Sequence, residues 1–158
     1  MSLVKTALKA KDVMTIDPVC VGPWATIREL VRVFEEHEIS GAPVVDQAGK
    51  VVGVVSKTDL IRRCSEGTND IPPAYLFEIL SERGAEESTG EVIPEPLLCV
   101  EDFMTQDPLM VAPDLSAAGA ARLMFEKHVH RVIVTDDEKF PIGIITSMDL
   151  LGAFPQSQ

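Results

Sequence analysis

Aromatic and basic residues are scarce in this chain of 158 residues. Aromatics make up 5% of it, with a single Trp and a single Tyr, so the stacking surfaces that bind single-stranded nucleic acids are poorly supplied. Lys and Arg number 14 against 25 Asp and Glu, and the net charge of −11 opposes a general affinity for DNA, RNA or anionic lipid. We therefore expect neither a nucleic acid nor a membrane as a partner.

Cysteines and long apolar runs are scarce as well. The three cysteines, Cys20, Cys64 and Cys99, have no C-x-x-C spacing, which favours neither a zinc knuckle nor a disulfide framework. The sequence has no apolar run of about 18 residues, the length that spans a membrane, and its N-terminus lacks the apolar core of a signal peptide. We expect a cytoplasmic protein with reduced thiols.

The sequence does contain a duplication. Residues 12–64 align with residues 102–154 at a constant offset of 90 and without a gap, with 14 identities in 53 positions. Both copies begin with Asp-x-Met-Thr-x-Asp-Pro, and near its end each has an apolar run with one glycine, followed after three residues by Asp-Leu. One register held over this length is typical of a duplicated supersecondary unit.

Each copy has the pattern β-α-β-β-α, so the sequence predicts an α+β fold. In the first helix, Thr26 and Glu29 form a capping-box pattern, and apolar residues recur on one face as far as Phe34. The two later strands are joined by a polar turn that ends in Gly49, which predicts a hairpin. The first copy places the five elements at residues 19–21, 26–36, 43–45, 51–55 and 56–63.

The domain organisation follows from the two copies. We expect residues 1–64 to hold an N-terminal segment and the first repeat, residues 65–101 to form an insert, and residues 102–158 to hold the second repeat. The insert has nine acidic residues and one basic residue, so most of the net negative charge lies there. Pro72-Pro73 followed by residues 74–80 predicts a short helix within it.

The repeats resemble cystathionine β-synthase (CBS) domains, and their pairing resembles a Bateman module. The segments that carry the resemblance are 12–15 with 102–105, 40–46, and 53–60 with 143–150. The resemblance implies two repeats that pack through their sheets with pseudo-twofold symmetry. It also implies clefts between them that take a regulatory ligand such as AMP, ADP, ATP or S-adenosylmethionine. Such modules sense and regulate, so no catalytic residue and no required cofactor are implied.

The third strand of each repeat ends in a Ser/Thr-x-x-Asp pattern, Ser56 to Asp59 and Thr146 to Asp149. A carboxylate in the first helical turn can accept hydrogen bonds from both hydroxyls of a ribose, while the hydroxyl and the free backbone N–H groups can bind a phosphate. The pattern therefore predicts an adenosine-phosphate site. The same residues also match an ordinary helix cap, which needs no ligand.

Positive charge is needed beside a bound phosphate, and both repeats supply candidates. Lys57 lies inside the first Ser-x-x-Asp pattern, and His130-Arg131 begins a strand of the second repeat. The His-Arg pair resembles the phosphate-contacting pair in the γ subunit of AMP-activated protein kinase. The sequence leaves open whether it serves the cleft of Asp59, that of Asp149 or both. An ordinary surface ion pair is the alternative for Arg131.

The adenine ring also has candidate neighbours. The segment Gly41-Ala42-Pro43 suits close approach of the backbone to a flat ring, because Gly and Ala leave space and Pro fixes φ. Thr15 and Thr105 match the segment that borders the adenine in the family. The alternative for both threonines is a hydroxyl that only stabilises a turn.

The two clefts are chemically unequal. The second repeat has Arg131-Val132-Ile133 where the first has Gly41-Ala42-Pro43. It also has Met148 where the first has Thr58. We include Thr58 among the candidate ligand-binding residues. The sequence therefore favours one filled site and one site that is empty or differently filled.

Other functions have weaker support. His128 and His130 could face the same side of a strand, but no third metal ligand has a suitable spacing. A ligand-independent interaction or assembly module is the alternative function, and a small enzyme at the insert around Tyr75 is a third. The small residues 117–121 predict a homodimer contact through a helix, unless they accommodate a helix of the same chain. An unidentified protein target is also compatible with the sequence.

Overall fold

The protein is described by a computed structural model over residues 8–65 and 98–154, so the helix predicted at residues 74–80 lies outside the described residues. The elements of residues 8–65 are α1 (Ala10–Val13), β1 (Thr15–Ile16), α2 (Ile27–Glu36), β2 (Gly41–Val45), β3 (Val51–Ser56) and α3 (Lys57–Ser65). Those of residues 98–154 are a 3₁₀ helix (Val100–Asp102), β4 (Thr105–Gln106), β5 (Met110–Val111), α4 (Ala117–Lys127), β6 (Arg131–Thr135), β7 (Pro141–Thr146) and α5 (Ser147–Gly152). The predicted α+β class is confirmed.

Helix α2 begins where the capping-box pattern predicts. The Glu29 N–H donates to the Thr26 hydroxyl at 3.1 Å, and the Thr26 N–H donates to the Glu29 carboxylate at 3.3 Å. These two bonds satisfy amide donors that the first turn of a helix leaves without an intrahelical acceptor. The apolar face is buried as expected, with Ile27, Leu30, Val31 and Phe34 all inside.

The hairpin turns of the two repeats each contain a residue with positive φ at the equivalent position. Strands β2 and β3 are neighbours in one sheet, and β6 pairs antiparallel with β7 in the other. Gly49 adopts a φ of +88° in the first turn, and Lys139 adopts +71° at the equivalent place in the second. Because L residues pay a steric penalty in this region, the glycine is the better fit.

The prediction of a strand over residues 19–21 is wrong, because only one residue of this segment pairs with a neighbour. The strand is reduced to a single parallel bridge between Val21 and Val44, whereas the second repeat forms β5 and pairs it in parallel with β6. In the second repeat the Ile133 N–H donates to the Leu109 carbonyl at 3.2 Å. The equivalent residue of the first repeat is Pro43, which has no N–H to donate. The proline therefore shortens the strand.

The chain forms two compact units that differ from the repeats in sequence. Of the described residues, the first unit holds 19–46, 53–65 and 98–106, and the second holds 8–18, 47–52 and 107–154. We call residues 8–16 the N-terminal lead and residues 98–106 the central lead. Each lead lies in the unit formed mainly by the other repeat. The first unit contains the sheet β2-β3-β4 apart from Val51 and Val52 of β3, and the second contains the sheet β1-β7-β6-β5.

The two leads are held by equivalent backbone hydrogen bonds. In the second unit, the Ala10 N–H donates to the Leu115 carbonyl at 2.7 Å. In the first unit, the Val100 N–H donates to the Ala25 carbonyl at 2.9 Å. Each donor precedes its Asp-x-Met-Thr motif by two residues, so both leads dock in the same register.

A glycine in each sheet makes room for the lead methionine. A Cβ built on Gly53 would lie 2.6 Å from the Met104 sulfur and 2.9 Å from the Thr105 carbonyl oxygen. A Cβ on Gly143 would collide with the Met14 side chain, with its Cγ at 2.7 Å. Glycine at both positions therefore lets β4 and β1 join the edge of each sheet without displacing the lead methionine.

The small residues of α4 are used inside the second unit. Ala117 and Ala120 are buried, and Ala120 shares a core cluster with the fully buried Ala10 of α1. Two alanines facing each other let the helices approach closely. The structure thus gives these residues a neighbour in the same chain, which was the alternative to a dimer contact. Within the described residues, no helix is long and apolar enough to cross a bilayer.

Candidate functional site

The second unit brings four of the predicted site residues to one end of its sheet. Thr15 is paired with Ile144, and Arg131 is paired with Thr146. Side chains directly opposite each other, or two apart on one strand, share a sheet face. Thr15, Arg131 and Thr146 therefore share one face, and Asp149 follows Thr146 in the first turn of α5.

The opposite face of the same sheet forms the core. Val132, Val134 and Ile145 alternate with the site residues along β6 and β7, and they pack with Met124 of α4 in one buried cluster. This alternation fixes the direction of the site residues, because a shift of register by one residue would turn every side chain to the other face.

Asp149 makes a complete helix cap. The Thr146 N–H and hydroxyl donate to its Oδ2 at 2.8 and 3.0 Å, and its own N–H lies 3.2 Å from the Thr146 hydroxyl oxygen. The ordinary helix cap, which the sequence offered as the alternative to a ligand site, is therefore present. It uses only Oδ2. Among the described residues, Oδ1 of Asp149 has no hydrogen-bond or ion-pair partner, so it can accept hydrogen bonds from a ligand.

The first unit repeats this cap with one addition. The Ser56 N–H and hydroxyl donate to Asp59 Oδ2 at 2.8 and 3.0 Å, and the Asp59 N–H lies 3.2 Å from the Ser56 hydroxyl. Here the second oxygen, Oδ1, lies 3.9 Å from Nη1 of Arg62. The carboxylate is 12% exposed and the guanidinium side chain 65% exposed. The equivalent of Arg62 in the second unit is Gly152, which has no side chain to offer.

Arg62 was missed by sequence reasoning, although a signal for it exists. It lies three residues after Asp59, and side chains at this spacing are neighbours on a helix surface.

The first unit also gathers its remaining predicted residues beside that cap. Thr105 of the central lead is paired with Val54, two residues before Ser56 on β3. Gly41, Ala42 and Pro43 lie on the neighbouring strand β2 and are all buried, whereas Thr58 is exposed in the first turn of α3. Each unit thus combines a helix cap from one repeat with a threonine from the other repeat's lead.

The predicted cations lie in different surroundings. The Ser147 N–H and hydroxyl donate to the His130 carbonyl at 3.0 and 3.2 Å, which holds the His130-Arg131 pair against the first residue of α5. The Lys57 N–H makes the equivalent bond to the Ser40 carbonyl at 2.9 Å. The Lys57 side chain, however, lines a pocket between α2 and α3.

Cysteines and metal ligands add no further site in the described part of the chain. Among the described residues, neither Cys20 nor Cys99 forms a disulfide, and burial raises the pKa of both thiols. Asp102 and Glu101 raise the pKa of Cys99 further. A raised pKa keeps a thiol protonated and unreactive at neutral pH. Within residues 8–65 and 98–154, no group of three His, Cys, Asp or Glu side chains is placed to hold a metal ion.

The fold and the paired caps define a duplicated β-α-β-β-α module with one candidate site in each unit. The chain belongs to the CBS domain family, whose model matches residues 10–66 and 100–156. The predicted resemblance is thereby confirmed.

Three similar proteins are informative. An uncharacterized protein of Methanocaldococcus jannaschii is 32% identical over 150 residues, covering 90% of this chain and 89% of that protein. Inosine-5'-monophosphate dehydrogenase of the same organism is 30% identical, but the match covers 94% of this chain and only 24% of the dehydrogenase. The structure of CBSX2 of Arabidopsis thaliana in complex with AMP superposes with a TM-score of 0.66 at 28% identity, covering 92% of this chain and 95% of CBSX2.

Proposed function

We propose that this chain is a regulatory module that senses an adenosine-type ligand and performs no reaction of its own. The observation that carries the proposal is the carboxylate of Asp149, which has one oxygen held by the cap and one that can accept from a ribose. The AMP complex of CBSX2, which is similar over almost its whole length, supports an adenine nucleotide as the ligand.

The second unit is the better nucleotide site of the two. Arg131 is opposite Thr146 on the neighbouring strand, so its side chain begins beside the N-terminus of α5, where a phosphate would lie. In the first unit the equivalent residue is Gly41, and Oδ1 of Asp59 is close to Arg62. We therefore assign AMP, ADP or ATP to the unit of Asp149. The unit of Asp59 is left for S-adenosylmethionine or another ligand without a phosphate.

Calorimetric titration tests the ligand assignment. AMP, ATP and S-adenosylmethionine are titrated into the wild-type chain, Asp149→Asn and Asp59→Asn. An Asn retains an oxygen that can accept from the cap donors but loses the charge, so the fold is preserved while a charge-assisted bond to ribose is lost. Thr26→Ala, which removes a cap outside either site, is the matched control. Undiminished binding in both Asn variants would refute the sites.

A ligand-independent assembly module is the second candidate function. It is favoured by the completeness of both caps, which require no ligand to satisfy the helix ends. Thermal unfolding separates the two functions, since a ligand at a hundred times its Kd stabilises the folded chain by about 2.7 kcal/mol. No stabilisation by any of the three ligands at millimolar concentration would favour the assembly module.

We further propose that the module is a homodimer that acts on an unidentified protein target from a cytoplasmic location. Large apolar side chains exposed on α4 and α5 support a partner of this kind. Sedimentation equilibrium at micromolar concentration tests the dimer, and a monomer mass would refute it.

A further inference from the structure

The two leads carry opposite charges at the place where each one docks. At the offset of 90 residues, Glu101 of the central lead is equivalent to Lys11 of the N-terminal lead. The position that each of them approaches also differs, because Trp24 of the first unit is equivalent to Asp114 of the second. A cation beside an acid in one unit thus corresponds to an acid beside an aromatic ring in the other.

The same backbone hydrogen bond positions the two members of each pair. The Lys11 N–H donates to the Pro113 carbonyl at 3.1 Å, and the Glu101 N–H donates to the Pro23 carbonyl at 2.9 Å. Each of these prolines immediately precedes the other member of its pair in the sequence. The residues of each pair are therefore neighbours, and the two pairs occupy equivalent places in their units.

The second unit balances its charges at this place from within the chain. Nζ of Lys11 lies 3.2 Å from Oδ1 of Asp114, and Nζ of Lys9 lies 3.7 Å from the same oxygen. The fold therefore accommodates a contact between opposite charges beside this lead.

The first unit leaves its acid without a cation. Glu101 is exposed, and its carboxylate has no ion-pair or hydrogen-bond partner in the described part of the chain. Asp102 and Glu29 add to the negative potential, since both of them, together with Glu101, raise the pKa of the neighbouring Cys99 thiol. The cation that would complete this place has to come from outside the described residues.

Trp24 supplies an exposed aromatic ring at the same place. The side chain is 56% exposed, although Trp is on average one of the more buried residue types. Its indole packs against the backbone of Gly22, where an added Cβ would lie 2.6 Å from ring atom Cε2. The glycine thus supports the ring from one side and leaves more than half of the side chain open to a partner.

An indole beside a carboxylate selects a cation, and arginine fits best. Trp is the aromatic side chain that attracts Lys and Arg most strongly to its face. A guanidinium can stack on a ring and still direct N–H donors from its edge to a carboxylate. A phosphate or an acidic peptide would be repelled by Glu101.

We propose that Trp24 and Glu101 form a docking surface for a basic segment of the regulated protein, with an arginine side chain stacked on the indole and paired with the carboxylate. This inference rests on the proposed regulatory function and adds the chemistry of its protein target. Neither residue belongs to the candidate ligand sites, so docking and nucleotide binding can be measured separately.

Fluorescence tests the docking directly. Trp24 is the single Trp of the chain, so its emission reports on this surface alone. The probes are a capped Gly-Arg-Gly-Arg-Gly peptide and the same peptide with citrulline in place of both arginines, which removes the charge and preserves the size. The arginine peptide should change the emission saturably. The citrulline peptide should bind at least threefold more weakly, as expected for the loss of a cation–π contact at an exposed site.

Variants separate a local contact from a general attraction to the acidic chain. Anisotropy of a fluorescein-labelled arginine peptide should show that Glu101→Gln and Trp24→Ala each bind at least threefold more weakly than the wild type. Glu36→Gln removes the same charge at the exposed far end of α2 and is the matched control, which should bind like the wild type. Trp24→Asp combined with Glu101→Lys copies the ion pair of the second unit and should weaken the peptide at least tenfold.

Three outcomes would overturn the inference. An emission that does not respond to the arginine peptide would exclude contact with Trp24. Equal losses in Glu101→Gln and Glu36→Gln would mean that the peptide responds only to the net charge of −11. Loss of AMP binding together with peptide binding in the variants would mean that the substitutions act through the fold. A wild-type chain that binds the arginine peptide but no nucleotide would refute the sensing function and leave the docking surface in place.

Discussion

The two units carry the same helix cap but surround it differently. In both, a backbone N–H and a hydroxyl hold Oδ2 of an Asp at the same distances, 2.8 and 3.0 Å. In the second unit the other oxygen has no partner among the described residues, and Arg131 begins the adjacent strand. In the first unit that oxygen lies near Arg62 and the adjacent strand begins with a glycine. The shared features thus build the helix terminus, and the proposed difference in ligand between the two units rests on the residues that differ.

The largest effect is expected at the glycines that admit the leads. Gly53→Ala and Gly143→Ala should each destabilise the chain by roughly 1–3 kcal/mol, the usual cost of forcing extra atoms into a packed site. The two variants should differ in how much of the lost stability returns when the lead methionine is shortened. The three nearest atoms around Gly143 all belong to the Met14 side chain, whereas a Cβ on Gly53 also meets the Thr105 carbonyl oxygen at 2.9 Å.

Denaturant unfolding of the double variants measures that difference. Met14→Ala should recover part of the stability lost in Gly143→Ala, while Met104→Ala should recover less of the loss in Gly53→Ala. Equal rescue in the two units would mean that the backbone contact at Thr105 yields easily, and the contrast between the leads would disappear.

The second prediction concerns phosphate recognition in the second unit. Arg131→Ala should weaken AMP at least tenfold and adenosine by less than about threefold, because a charge-assisted bond to phosphate is worth more than packing. Gly41→Ala in the first unit is the comparison, since that position has no charge to lose. Calorimetry with both ligands measures the ratio. Equal losses for AMP and adenosine would show that Arg131 acts through packing.

The local structure of this chain could be read from its sequence, because it depends on short-range chemistry. The cap of α2, its buried face and the two hairpins follow from residue spacing and from turn residues such as Gly49. The loss of the strand at residues 19–21, where only the bridge of Val21 is left, could also have been foreseen, since Pro43 lacks the N–H that Ile133 supplies in the other repeat.

The exchange of the leads could not be foreseen. Both leads contain Asp-x-Met-Thr-x-Asp-Pro, and both sheets offer a glycine opposite the incoming methionine. Either lead is therefore compatible with either sheet by local chemistry, and the choice depends on the path of the whole chain. The candidate sites depend on this exchange, because it places Thr15 beside β7 and Thr105 beside β3.

A smaller effect is expected from Arg62. Its ion pair with Asp59 is long at 3.9 Å and mostly exposed, and such pairs contribute about 0.2–1 kcal/mol. Arg62→Ala should therefore change the stability little. If Arg62 competes with a ligand for Oδ1, the variant should bind S-adenosylmethionine up to about threefold more tightly in the first unit. Weaker binding would instead make Arg62 part of the ligand contact.

The smallest effect concerns the acid stability of the N-terminal lead. Lys11 and Lys9 lie 3.2 and 3.7 Å from Asp114, and the hydrogen bond and charge of Lys11, with a lesser contribution from Lys9, lower the pKa of that carboxyl. The equivalent of Asp114 in the first unit is Trp24, and the central lead has no lysine at either equivalent position. The central lead therefore has no equivalent of these ion pairs, and only the docking of the N-terminal lead should be weakened when Asp114 is protonated.

The sign follows from the lowered pKa. The stabilisation is fully present above the unfolded pKa of about 3.9 and is lost as the pH falls through the lower folded value. Asp114→Asn should melt slightly below the wild type at pH 5–7, with the two curves converging as the pH falls below the lowered folded pKa. Salt should reduce the difference, because the group is exposed and its ion pairs are screened. A difference that persists at low pH would mean that Asp114 acts through a neutral contact, since a protonated carboxyl and an amide carry the same charge.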